Sequence, residues 1–188
     1  EHRRQRQMCI RDRYYILRHL QLIMKKRVLF VHIPKNAGTA INKALYKKSL
    51  GHFTINEFKS IYFGDFDSLY KFAIMREPIE RFISAYRFLK DSFDDRKKND
   101  PALFKSKKLE KLSNLGINEF IESLLSDFDL YIDFVFMPQS HFICNKNGSV
   151  LVDNIIDIDR LNLIPNLLQK KAGLQNINFS IRNKSTYE

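Results

Sequence analysis

The chain has 188 residues, 44% of them hydrophobic and 13% aromatic, which is enough apolar surface for a core and excludes wholesale disorder. Six glycines and five prolines exclude collagen-like and low-complexity classes. The net charge of +11 and a pI of about 9.6 point to an anionic partner: nucleic acid, a membrane surface, or a phosphorylated or sulfated small molecule.

The first residues read as foreign to the fold. Met8-Cys9-Ile10-Arg11-Asp12 resembles the translated end of a transposase-type sequencing adapter, so residues 1–13 are set aside as an artefact tail. The alternative is a natural basic arm that binds nucleic acid. The tail carries +3 (five Arg against Glu1 and Asp12) and leaves +8 for residues 14–188, which are expected to form one domain. Without Cys9 only Cys144 remains, so there is no internal disulfide framework, as in a reducing compartment. Tyr14 to Met24, interrupted by Arg18, His19 and Gln21, predicts a short helix, and no apolar run approaches the roughly 18–20 residues that cross a bilayer.

Arg27-Val-Leu-Phe-Val-His-Ile33 is a near-continuous apolar run of strand length, the pattern of a buried parallel strand. Pro34 to Thr39 follows as a turn, and Ala40 to Leu50 as a helix with Ile41, Ala44 and Leu45 on one face. Phe72 to Met75 is a second apolar run. It ends at Arg76-Glu77-Pro78, where a helix begins with Ile79, Phe82, Ile83 and Tyr86 at helical spacing. Two strand–turn–helix units favour an α/β fold with a parallel sheet. Asp91 to Lys111 reads as a charged loop or insertion, and Ile117 to Leu125 as a helix capped by Asn118. Asn145 to Gly148 is a turn signal, with strands predicted at Val150–Val152 and Ile155–Ile158. Leu161 to Ala172 is an amphipathic helix with Pro165 near its start, stopped by Gly173.

Two motifs carry chemistry. In Phe30-Val-His-Ile-Pro-Lys-Asn-Ala-Gly-Thr39 a strand ends and a short loop opens a helix, whose N-terminal amides make an anion site. Gly38 would let the backbone approach the anion, Lys35 would add a point charge, and Thr39 a hydroxyl. The pattern is not a Walker loop, because the Lys precedes the Gly. The plainer reading is an ordinary βα turn with a solvated lysine. In Ile74-Met-Arg-Glu-Pro-Ile-Glu-Arg-Phe-Ile-Ser-Ala-Tyr86, Arg76 stands just past a strand end, where ligands bind in open α/β sheets, and Ser84 lies about two turns into the helix. The plainer reading pairs Arg76 with a helix carboxylate and makes Ser84 a packing residue.

Together the motifs resemble the nucleotide-binding segments of the sulfotransferase superfamily, in its carbohydrate branch. The first segment there has the form hydrophobic-x-His-Ile-Pro-Lys-x-x-Gly-Thr and the second Arg-Asp-Pro-x-x-Arg-x-x-Ser-x-Tyr, so Glu77 stands in place of Asp. The resemblance runs from about Arg27 to the end of the chain. It implies a P-loop-like three-layer α/β fold, with a central, mainly parallel sheet flanked by helices. It also implies 3′-phosphoadenosine 5′-phosphosulfate (PAPS) as donor, its product PAP, no metal, and a glycan or other hydroxyl-bearing acceptor. By the same resemblance Lys35, Ala37, Gly38 and Thr39 would hold the 5′-phosphosulfate, and Arg76 and Ser84 the 3′-phosphate. Arg81 is read as an ion-pairing residue on the helix face. Asn183, Lys184 and Ser185 look like the start of a later cofactor loop, which suggests a chain cut short at its C-terminus.

Sulfuryl transfer to a hydroxyl needs a base for the acceptor proton and a cation for the leaving oxygen. Lys35 suits the second task. For the first, His is the usual base near neutral pH. His52, in Ser49-Leu-Gly-His-Phe-Thr54, is the leading candidate, since related enzymes carry a base in a Gly-His or Leu-His context. It is expected at the start of a strand, near the site only if its loop folds back, with Glu57 as the next candidate. His32 reads as a hydrogen-bonded core residue, His141 as a possible lining of the acceptor cleft, and Cys144 as a small buried hydrophobe. Other readings are a kinase-like or non-catalytic nucleotide-binding protein, or a basic nucleic-acid-binding domain. The kinase lacks a Walker loop and magnesium carboxylates, and the scattered basic residues form no stripe. Compartment divides between bacterial cytoplasm and, if an anchor precedes the chain, the Golgi membrane.

Overall fold

The computed structural model describes residues 20–48, 50–99, 114–126 and 135–178. They fall into two compact units, one of residues 1–75 with 138–186, the other chiefly of residues 76–137. The tail at 1–13 lies outside the described residues.

The first unit is built on a parallel sheet. The apolar runs become β1 (Val28–Val31), β2 (Tyr70–Met75) and β3 (Asn154–Asp157), in the order β1-β2-β3. Phe30 pairs with Phe72, Val31 with Ala73, and Met75 with Asp157. All four residues of β1 and the first five of β2 are buried, so both faces are covered and the sequence does not alternate. The mixed α/β fold with a parallel sheet flanked by helices is the predicted one. Residues 20–26 (α1) are helical, with Leu20 and Ile23 buried, in keeping with the short helix read there.

α2 (Gly38–Tyr46) follows β1 and starts two residues earlier than the sequence suggests. Ile41 and Leu45 face the core as predicted. Tyr46, fully enclosed, closes the outer edge of β1: its hydroxyl donates to the Val28 carbonyl at 2.9 Å and accepts from the Phe30 amide at 3.0 Å. Burial holds that phenol well above its ordinary pKa, so it stays a neutral donor.

After α2 the sequence predicts a strand near His52, and the structure has an irregular lead into α3 (Ile55–Ile61) instead. The cause is a capping box. The Thr54 hydroxyl accepts from the Glu57 amide at 3.2 Å, and the Glu57 carboxylate accepts from the Thr54 amide at 2.7 Å. The strand expected at Val150–Val152 shrinks to one antiparallel bridge between Cys144 and Val150. The Asn145 side chain folds the chain back by accepting from the amides of Asn147 and Ser149, and half-exposed Val150 has no apolar face to bury. The helix read from Leu161 to Ala172 splits into a 3₁₀ turn (Ile158–Leu163) and α7 (Ile164–Ala172). Pro165 has no amide to donate and its ring crowds the carbonyl four residues back, so regular α-helix begins only there. Gly173 ends α7 in the left-handed conformation, φ 65°, as expected.

The second unit pairs α4 (Pro78–Asn99) with α5 (Ile117–Ser126). Tyr86, Leu89 and Phe120 form its core, with Phe82, Leu115, Ile117 and Phe136 packed around them. α4 runs on to Asn99 where the sequence suggests a loop from Asp91. Mixed charges alone do not break a helix, and the first breaker is Pro101, which disfavours α geometry just before it. Asn118 lies inside α5 and does not cap it. The Gly116 carbonyl receives the Phe120 amide at 2.9 Å, and the Glu119 carboxylate receives the Gly116 amide at 3.0 Å.

Replacing Tyr46 with Phe should strand two buried backbone groups at once. The expected cost is about 2–3 kcal/mol, read from the urea-unfolding midpoint. An unchanged midpoint would show that water or a neighbour replaces the phenol.

Candidate active site

The loop from His32 to Gly38 joins β1 to α2 and carries the first motif. Lys35 and Ala37 both have positive φ, 67° and 58°, an unusual conformation for residues with a Cβ. A backbone that alternates in this way turns successive amides toward one side and forms a concavity suited to an anion. α2 has no side-chain cap and no acidic residue in its first turn, so its N-terminal amides keep their partial positive charge. α3, by contrast, is capped by Thr54 and Glu57. Lys35 is half-buried beside this helix end and Thr39 is exposed.

Asn36 anchors the loop. It is 1% exposed, and its amide nitrogen donates to the Ile74 carbonyl at 2.7 Å and to the Gln139 Oε1 at 2.6 Å. The loop is thereby tied to β2 and to α6 (Gln139–Ile143). The sequence assigns Asn36 no role, and it marks the segment around Gln139 only as a place where the acceptor could bind. The available signal was a short polar side chain in a loop between two apolar runs, where only a buried partner would order it.

Gly38 has a structural reason of its own: a Cβ built there would fall inside the His32 imidazole, so the absent side chain makes room for that ring. His32 is buried, and its Nδ1 lies 3.0 Å from the Asn42 Nδ2. Desolvation, then the neighbouring His52, lowers its pKa to about 3, against a smaller opposing hydrogen bond to the Gly51 backbone. His32 is therefore neutral and holds one ring proton. Asn42 also escaped the sequence reading, although it is a polar residue on the buried stripe of α2, next to Ile41 and one turn beyond Gly38.

His52 folds back onto this end of the sheet. Its Nδ1 lies 3.2 Å from the His32 carbonyl oxygen, and the two imidazole centroids are 4.0 Å apart. A carbonyl only accepts, so Nδ1 carries the proton and Nε2 the lone pair. Glu57, the second candidate base, is engaged in the capping box. His141 is exposed on α6, and Cys144 is a half-buried free thiol.

The second motif opens α4, in the other unit. Glu77 accepts from the Glu80 amide at 2.7 Å and its carbonyl receives the Arg81 amide at 2.9 Å, so it caps the helix as an Asp would. Arg76 follows directly on β2 and lies 3.3 Å from the Glu80 carboxylate, an i,i+4 pair. Arg81 is not on an exposed face. It is buried, donates to the Val135 carbonyl at 2.8 Å, and burial lowers its pKa to about 10. Ser84 is half-buried two turns along α4. Asn183, Lys184 and Ser185 lie outside the described residues. Among the described residues no His, Cys, Asp and Glu side chains cluster as metal ligands, and no helix is long and apolar enough to cross a membrane.

A comparison with protein-family models matches residues 18–162, more than half of the chain, to the sulfotransferase family. Comparisons with curated proteins and with solved structures return no match.

The folded state holds His32 unprotonated down to about pH 3, whereas the unfolded chain takes up that proton near pH 6.5. Its contribution to stability is complete above pH 6.5 and is lost as the pH falls toward 3. Between pH 7 and pH 5 the wild-type protein should lose about 2 kcal/mol more than a His32→Gln variant. Equal losses in urea titrations would mean that His32 titrates normally.

Proposed function

The chain belongs to the sulfotransferase family, and from that premise we propose that it transfers a sulfuryl group from PAPS to a hydroxyl of a carbohydrate or glycan. The observation that carries this reading is the helix N-terminus of α2, which lacks a capping side chain and follows a loop with Lys35 and two positive φ angles. This donor set suits a tetrahedral anion: an ammonium, backbone amides of a helix start, and the Thr39 hydroxyl.

In this reading Lys35, Ala37, Gly38 and Thr39 hold the 5′-phosphosulfate. Arg76 and Ser84 hold the 3′-phosphate, with Asn183, Lys184 and Ser185 as further contacts. The donor supplies the sulfuryl group, whose bond to the 5′-phosphate oxygen breaks as the acceptor oxygen bonds to sulfur. His52 takes the acceptor proton on Nε2, while Nδ1 keeps its proton on the His32 carbonyl. The Lys35 ammonium offsets the charge that grows on the departing oxygen. No metal is assigned a role. The Arg76–Glu80 pair supports a plainer role for Arg76 as a helix-end partner, and substitution separates the two.

PAP at millimolar concentration should raise the melting temperature by several degrees, and Lys35→Ala or Arg76→Ala should remove most of the shift. The absence of any shift counts against a nucleotide site. Wild-type shifts in both variants would place the nucleotide elsewhere. His52→Ala should keep the shift and lose about 100-fold or more in sulfate transfer from labelled PAPS across a glycan panel. Normal transfer by that variant would assign the base to another residue.

A further inference from the structure

A general base needs more than a nitrogen in the right region. It needs the lone pair on the correct ring nitrogen, and free histidine prefers its proton on Nε2. His52 has the opposite arrangement, with the proton on Nδ1, because that atom faces the His32 carbonyl at 3.2 Å. Something must hold residues 51 and 52 against that carbonyl. Gly51 sits in the left-handed region, φ 78°, and is followed by residues outside any regular element, so its own backbone supplies little restraint.

The restraint comes from the side chain of His32. Its ring is packed at 4.0 Å between centroids against the His52 ring. The Asn42 Nδ2 can only donate, so the His32 Nδ1, 3.0 Å away, accepts from it. A neutral imidazole has one proton, which then sits on Nε2. Asn42 is fully buried, and its donor fixes the His32 tautomer. Gly38 completes the seat, since any Cβ there would occupy the space of the His32 ring. Two residues of the first motif and its helix, Gly38 and Asn42, are thus committed to the orientation of one imidazole, and through it to the next.

We propose that His32, held by Asn42, seated on Gly38 and packed against the His52 ring, is the positioning residue that holds His52 with its lone pair on Nε2. This rests on His52 being the base. His32 touches neither donor nor acceptor in this role. It acts through its own carbonyl and through the ring of His52.

The test uses the full chain and reads the His52 tautomer by long-range proton–nitrogen correlation of the imidazole rings. Wild-type His52 should be the Nδ1–H form. His32→Leu should shift it toward the Nε2–H form, and His32→Gln, whose side-chain carbonyl can still accept from Asn42, should restore at least part of the Nδ1–H population. With water as the acceptor probe, release of PAP from PAPS should fall at least tenfold in kcat for His32→Leu. KM for PAPS and the PAP thermal shift should stay within twofold of wild type. Asn42→Leu removes the tautomer-setting donor and should act in the same direction, which keeps the test alive should His32→Leu fail to fold. An Nε2–H tautomer in the wild type overturns the inference, and so does an unchanged tautomer in the variants. His52→Ala in the same release assay is read separately. Full activity there refutes the base assignment, whereas loss there with normal activity in His32→Leu refutes only the positioning role.

Discussion

His32 is a histidine that the fold does not allow to charge. It lies at the end of a buried strand, under the first turn of the following helix, and burial is the largest influence on its ionisation. A charged ring there would face desolvation and a second imidazole 4.0 Å away. Its neutrality leaves one ring nitrogen to accept from Asn42 and the single proton on the other. That pattern explains why Gly38 lacks a side chain, why α2 carries a buried Asn, and why the chain after α2 returns to the end of β1.

A second constraint concerns how helix starts are satisfied. α3 and α4 are capped by carboxylates of their own sequence, Glu57 with Thr54 and Glu77 at the head of its helix. α2 has neither a side-chain cap nor an acid in its first turn. A capping carboxylate would compete for the amides that an anion needs, and its charge would repel a sulfate or phosphate. α6 and α7 also start without a side-chain cap or a first-turn acid, so what sets α2 apart is the loop before it, with Lys35 and Ala37 at positive φ. The same logic accounts for Glu77 where the family pattern has Asp. The position serves to cap α4, and either carboxylate can accept from an amide two or three residues on.

Much of the frame was legible in the residues. β1 and β2 announced themselves because a strand buried on both faces must be apolar throughout, and the α2 and α4 stripes repeat at helical spacing. Errors fell where local signals competed with partners distant in sequence. Val150–Val152 has strand composition, but no neighbouring strand pairs beyond one bridge. His52 was expected on a strand, but the Thr54–Glu57 capping box, itself visible in the sequence, commits the segment to a helix. Arg81 reads as an ion-pairing residue on the helix face, and the fold buries it with its guanidinium on a main-chain carbonyl.

The residue pattern determined the strand–turn–helix units around β1 and β2 and the family to which the chain belongs, because these depend on periodicity and on short contiguous motifs. It also singled out Lys35 and His52 as chemically distinctive. Tertiary structure decided the rest. Asn36 reaches the Ile74 carbonyl and Gln139 across 38 and 103 positions of chain, and His52 finds the His32 carbonyl 20 positions back. Hydrogen-bond geometry of that kind has no local signature. Burial selects which polar side chains must find partners, and only the folded chain shows which partners lie within reach.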